Sequence, residues 1–99
     1  RFKKIISNSD LIKIDVEGHE AKLILSTASA DWIKTDAILE VGNKVNGKKI
    51  FDHCNKNNLN IFSQLSGWKK VKAHKDMPDN YKKGSIFLTK KNEMNWRLK

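Results

Sequence analysis

"LIKIDVEGHEAKLIL" occupies residues 11–25, and its two halves follow different periods. In "LIKIDV" (11–16), Ile12, Ile14 and Val16 alternate with other residues and share one face, the pattern of a short β-strand. Beyond it, Ala21, Ile24, Leu25 and Ala28 fall at i, i+3, i+4 and i+7. That spacing predicts one apolar stripe on a helix from about Gly18 to Ala28. A strand feeding straight into a helix is how a right-handed crossover between parallel strands begins. Asp15, Glu17 and Glu20 crowd the junction, with Gly18 and His19 between them.

The pattern repeats downstream. "ASADWIKTD" (28–36) reads as a connector, with Trp32 and Ile33 at the core edge, and "AILEV" (37–41) as a second strand stopped by Gly42 and Asn43. Asn46 is a plausible N-cap for a second helix whose inner face is Ile50, Phe51 and Cys54. "NKNN" (55–58) should close that helix, because asparagine tolerates the left-handed conformation. "NIFSQL" (60–65) and "GSIFLTK" (84–90) read as further strands, separated by a charged loop in which "WKKVKA" (68–73) offers a short edge strand. The last strand follows no helical pattern, so it is expected to run antiparallel at the far side of the sheet.

The expected fold class is therefore α/β, the C-terminal half of a doubly wound sheet, mostly parallel with an antiparallel last strand. The "LIKIDV" strand lacks an obvious neighbour on its outer side, which makes an exposed apolar edge. Together with an apolar content of 38%, this leads to the expectation that residues 1–99 are part of one larger domain.

Charge is unevenly distributed. The net charge of +9 arises mostly in residues 66–99, with ten Lys/Arg against three Asp/Glu; residues 1–65 carry ten against eight. The pairs Lys69-Lys70, Lys82-Lys83 and Lys90-Lys91, near Trp68, Tyr81 and Trp96, fit either a solvated surface or a non-catalytic module that holds a polyanion such as nucleic acid. The solvated surface is the favoured reading, since the signal is compositional. Cys54 is the only cysteine, which excludes a disulfide framework and a cysteine-based metal site and fits a cytoplasmic location. No apolar run approaches the roughly 20 residues of a membrane span, and "RFKKIISNSD" (1–10) is too short for a secretory signal.

Ligands of open α/β sheets lie beyond the carboxyl ends of the strands. Asp15 and Glu17 sit at that end of the first strand and Glu40 at that end of the second, so neighbouring strands would turn all three toward one crevice. Acids also stabilise helix N-termini by about 0.3–1 kcal/mol each, and Glu20 is well placed for a capping arrangement. On residues alone, a ligand site and a helix cap fit the cluster equally. His19 is a candidate base with an unperturbed pKa of about 6.5. His19, His53 and His74 show no metal-ligand spacing. Asp15 with Glu40 or Asn43 offers oxygens to a hard cation, but no pattern demands one, and no metal is expected. The chain has no Gly-rich phosphate loop, nucleophile elbow or useful Cys/His pair.

"DLIKIDVEGHEAKLIL" (10–25) resembles the signature of the FkbM-type S-adenosylmethionine-dependent methyltransferases, a strand running into Asp-Val-Glu-Gly, a variable position, Glu and an apolar helix. "DAILEVGN" (36–43) is similar to that family's next strand, and the resemblance extends less specifically to about residue 91. It departs at "ILSTASADW" (24–32), where the family has leucine soon followed by glycine. The resemblance implies a Rossmann-like methyltransferase sheet of seven strands whose fourth is "LIKIDV". The preceding three strands, with the Gly-rich cofactor loop, are not in this sequence. It further implies S-adenosylmethionine as cofactor and a small or sugar-like hydroxylated acceptor, with nucleic acid and membrane disfavoured as partners. The implied catalytic residues are Asp15 and Glu17. Gly18 and Asp15 would contact the cofactor, and His19, Glu40 and Asn43 the acceptor.

Overall fold

Residues 11–15 and 18–93 are described by a computed structural model of the chain. Glu17 and Val16 lie outside the described residues. The elements are β1 (Leu11–Ile14), α1 (Glu20–Leu25), β2 (Asp36–Glu40), α2 (Lys44–Lys56), β3 (Asn60–Ser63), β4 (Lys69–Lys70) and β5 (Ser85–Thr89). Short 3-10 turns occupy Ser29–Trp32, Gln64–Ser66, His74–Asp76 and Tyr81–Lys83. The strands form one mixed sheet in the order β1-β2-β5-β3-β4.

β1 pairs with β2 in parallel, with Ile12 opposite Ala37 and Ile14 opposite Leu39. β5 lies between β2 and β3 and is antiparallel to both. β1, β2 and β3 therefore point the same way, and the two connections between them carry the helices. Right-handed crossovers that step in one direction place their helices on one face of the sheet. Ala21 and Ile24 of α1 and Ile50 and Cys54 of α2 indeed share a core with Ile14, Ala37, Leu39, Ile61, Ile86 and Leu88. The chain is thus a small α/β domain with two helices against one side of a mixed sheet.

Two sequence expectations about the sheet are corrected. The last strand is not at the far side but inside the sheet, and β1–β2 is the sole parallel pairing among the described strands. The reason lies in "IFL": Ile86, Phe87 and Leu88 are all fully buried, which a strand achieves only with neighbours on both sides and cover on both faces. The far edge is taken instead by the two-residue β4, which bears Lys69 and Lys70, both exposed and suited to blunting an edge. β1 is the opposite edge among the described residues.

The first helix is shorter than its apolar spacing suggests. It stops at Leu25 because Ser26 and Thr27 turn their hydroxyls back onto the carbonyls of Leu23 and Ile24, both at 2.6 Å. Leu25 is consequently 42% exposed and Ala28 lies outside the core, while Glu20 and Thr27 take the buried places. Trp32 is enclosed and donates its indole N–H to Thr27 Oγ1 at 2.9 Å, whereas Ile33 is exposed. The second helix starts three residues earlier than expected: Asn43, not Asn46, is its N-cap, accepting the Asn46 N–H at 2.8 Å. At its other end Asn58 adopts φ 58°, the left-handed closure anticipated from "NKNN". His53 Nε2 lies 2.9 Å from the Thr27 carbonyl and joins α2 to the segment that follows α1.

Candidate functional site

Because β1, β2 and β3 run together, their carboxyl ends form one rim. The connection from β3 to β5, residues 64–84, leaves from that rim and returns to it. A connection of this length is where binding features concentrate in a compact domain.

Extending the β1–β2 register by one residue sets Asp15 beside Glu40, and Glu40 in turn is opposite Ser85 of β5. Adjacent strands are spaced at roughly 4.8 Å, so the two carboxylates are neighbours. Both side chains lie on the face away from the helices. They line a shallow depression of about 110 Å3 together with Lys13, Ile14, Ile38, Leu39 and Ser85. Asp15 and Glu40 are both exposed, and neither has an ion-pair partner among the described residues. The convergence inferred from the sequence therefore holds for Asp15 and Glu40.

The remaining candidates are distributed differently. Gly18 is exposed with φ 80°, a conformation that side chains resist, and no atom lies within 4 Å of where its Cβ would be. Its N–H is directed at Tyr81 Oη, at 2.7 Å. His19 is exposed, stands at the start of α1 and borders a broad groove of about 570 Å3 with Lys22, Leu25, Asn46 and Lys49. Asn43 uses its side-chain oxygen to cap α2 and is not among the residues lining the depression. Among the described residues no group of three or more His, Cys, Asp or Glu side chains is arranged to hold a metal ion.

Glu20 is the largest departure from the sequence reading. The start of α1 has no side-chain cap; the Glu20 carboxylate crosses instead to the β2–α2 junction, where Oε2 accepts from the Gly42 N–H of the loop at 3.0 Å and from Asn46 Nδ2 of α2 at 3.2 Å. Tyr81 Oη donates to the same carboxylate at 3.3–3.4 Å. Glu20 is 2% exposed. Burial pushes its carboxyl up, but hydrogen bonds from its own backbone N–H, Gly42, Asn46 and Tyr81 outweigh burial and hold it below the ordinary carboxylate range. Gly42 belongs to the same unit: a Cβ there would come within 2.4 Å of the Tyr81 ring.

Sequence reasoning missed Tyr81, Gly42 and Ser85. Tyr81 is 63 residues from Gly18, and no local pattern links them. The only available signal was a glycine directly after an apolar strand, at Gly42. Elsewhere the lysines of the last third are partly occupied: Lys83 pairs with Asp79 at 2.9 Å, Lys91 with Asp36 at 3.6 Å, and Lys90 reaches Ser29 Oγ and the Asn57 carbonyl. His74 contacts Asp52 at 2.7 Å. No described helix is long and apolar enough to cross a membrane. Compared with protein-family models, curated proteins and solved structures, the chain matches none.

Proposed function

We propose that the chain is the closing part of an S-adenosylmethionine-dependent O-methyltransferase domain of the FkbM type, acting on a small or sugar-like hydroxylated acceptor. The observation that carries this reading is a pair of carboxylates, Asp15 and Glu40, side by side at the carboxyl ends of two parallel strands and without an ion pair among the described residues. A sheet of this kind binds its ligand at that rim. Lys13 lines the same depression, but among the described residues neither acid forms an ion pair, and the pair suits a ligand that brings its own positive charge. The strand directions support the reading: of the five strands β1, β2 and β3 run alike, and the last, β5, is reversed, as is the two-residue edge strand β4.

The residues fit the cofactor through this donor set: Asp15 would face its positive charge, and there is open space above Gly18. When bound, S-adenosylmethionine supplies an electrophilic methyl group on a sulfonium. Asp15 would complement that charge and orient the acceptor hydroxyl, while Glu40 would bind the acceptor's other hydroxyls and His19 would serve the acceptor side. Glu17 accepts the hydroxyl proton as attack proceeds. Gly18 would let the backbone come close to the donor, and Asn43 would contribute by shaping the β2–α2 loop through its cap on α2. Alignment of donor and acceptor carries most of the rate. Glu17→Gln in the complete domain should reduce methyl transfer by about a hundredfold or more while S-adenosylmethionine affinity changes little. An unchanged rate would refute the assignment of Glu17 as base.

One specific observation favours a second reading, a polyanion-binding module: Lys44, Lys48, Lys75 and His74 line a cleft of about 350 Å3 with Met77, Pro78 and a single acid, Asp79. Binding that weakens steeply with salt would support it.

A further inference from the structure

Tyr81 is held where it can control the site without touching it. Its ring covers Gly42, in the loop that follows Glu40, so closely that only a glycine fits beneath. Its hydroxyl serves two elements at once, accepting the Gly18 N–H at 2.7 Å and donating to the Glu20 carboxylate. Glu20 in turn holds the Gly42 N–H and Asn46. One phenol thereby joins Gly18, just ahead of α1, to Gly42, two residues beyond Glu40 at the end of β2.

The turn after β1 needs such a tie. Gly18 is in the left-handed region, reachable by glycine because of its freedom, and the same freedom leaves its N–H direction to be set by a partner. Fixing it calls for a group that donates and accepts together along set directions, which a phenol does and a phenyl ring does not. The tie comes from the 64–84 connection, which otherwise makes its own contacts at the rim, such as Gln64 Oε1 with the Ser85 N–H at 3.0 Å.

We propose that Tyr81 is a positioning residue for methyl transfer: through Gly18 and Glu20 it fixes Gly18 against Gly42, the residues that follow the two carboxylate-bearing strand ends. This role rests on the methyltransferase reading. Misplacement of reacting groups by about 1 Å can cost a hundredfold in rate, so the hydroxyl should matter to turnover more than to folding.

Tyr81→Phe keeps the ring over Gly42 and removes only the tie. In the complete domain it should lower kcat by at least about tenfold per folded molecule with KM for S-adenosylmethionine changed less than threefold. In the same variant the Gly18 amide should exchange with solvent faster than in the wild type. Glu20→Gln, which keeps one acceptor oxygen, should fall between the two. If the wild type transfers methyl groups and Tyr81→Phe matches its kcat, or if Gly18 exchange is unchanged, the positioning role is overturned and the methyltransferase reading stands. If the wild-type domain transfers no methyl group to any hydroxylated acceptor, both are overturned.

Discussion

Replacing Glu20 tests the account of how the rim is built. Glu20→Ala removes the acceptor for three donors, the Gly42 N–H, the Asn46 amide and the Tyr81 hydroxyl. Hydrogen bonds to a charged group are worth about 1.5–3 kcal/mol each. These are partly buried, so water entering the space left by the side chain will satisfy some of the donors. The expected loss is about 3 kcal/mol, or roughly 12–24 °C in Tm for a domain of this size. Glu20→Gln can still accept from Gly42 and Asn46 through its carbonyl oxygen, while its NH2 faces Tyr81 Oη. It exchanges charge-assisted bonds for neutral ones and should cost about 1 kcal/mol. The pH dependence gives an independent sign. The native Glu20 carboxyl is held below its unfolded value, so its contribution is fully present above the ordinary carboxylate range of about pH 4–5. That contribution is lost as pH falls through the lower native value, when the folded state must take up the proton. Urea denaturation followed by tryptophan fluorescence, in steps from pH 7 to pH 3, measures both quantities. The difference between wild type and Glu20→Gln should shrink toward acid pH. An alanine variant within 0.5 kcal/mol of wild type, or a difference that stays constant down to pH 3, would refute the reasoning.

Three further outcomes are expected. Gly42→Ala forces a Cβ to within 2.4 Å of the Tyr81 ring and should cost about 1–3 kcal/mol; in a Tyr81→Ala background that penalty should vanish, which a double-mutant cycle on thermal melts will show. Burial pushes the Cys54 thiol up to about 12, so thiol reagents at pH 8 should leave the native chain unmodified and react only as it unfolds. Asn43→Ala removes the cap of α2 and should lower stability by about 1 kcal/mol, with Asn46→Ala losing its bond to Glu20 instead.

The strand and helix alternation was legible because each element carries a clean period: Ile12 and Ile14 at two, Ala21 and Ile24 at three. The pairing of Asp15 with Glu40 could be read as well, since it follows from strand ends and adjacency alone. The place of β5 was misread, although its uninterrupted Ile86-Phe87-Leu88 is the mark of a strand buried on both faces. The helix boundaries moved because side chains, not apolar spacing, set them: Ser26 and Thr27 end α1, and Asn43 begins α2. What no sequence pattern could give was the destination of Glu20. Its position suits a local cap, and only the return of the 64–84 connection brings Tyr81 into reach across 61 residues. Long-range polar ties of this kind depend on where a loop lands, which periodicity does not encode.

The sharpest test of the carboxylate pair compares two ligands that differ by one methyl group and one positive charge. S-adenosylmethionine and its neutral demethylated product should be titrated calorimetrically into the complete domain, wild type and the double variant Asp15→Asn, Glu40→Gln. Loss of both acids should reduce the preference for the charged ligand by at least about tenfold, an effect of roughly 1.4 kcal/mol. An unaltered preference, or a wild-type domain that binds neither ligand, would contradict the claim that these acids face a cationic methyl donor.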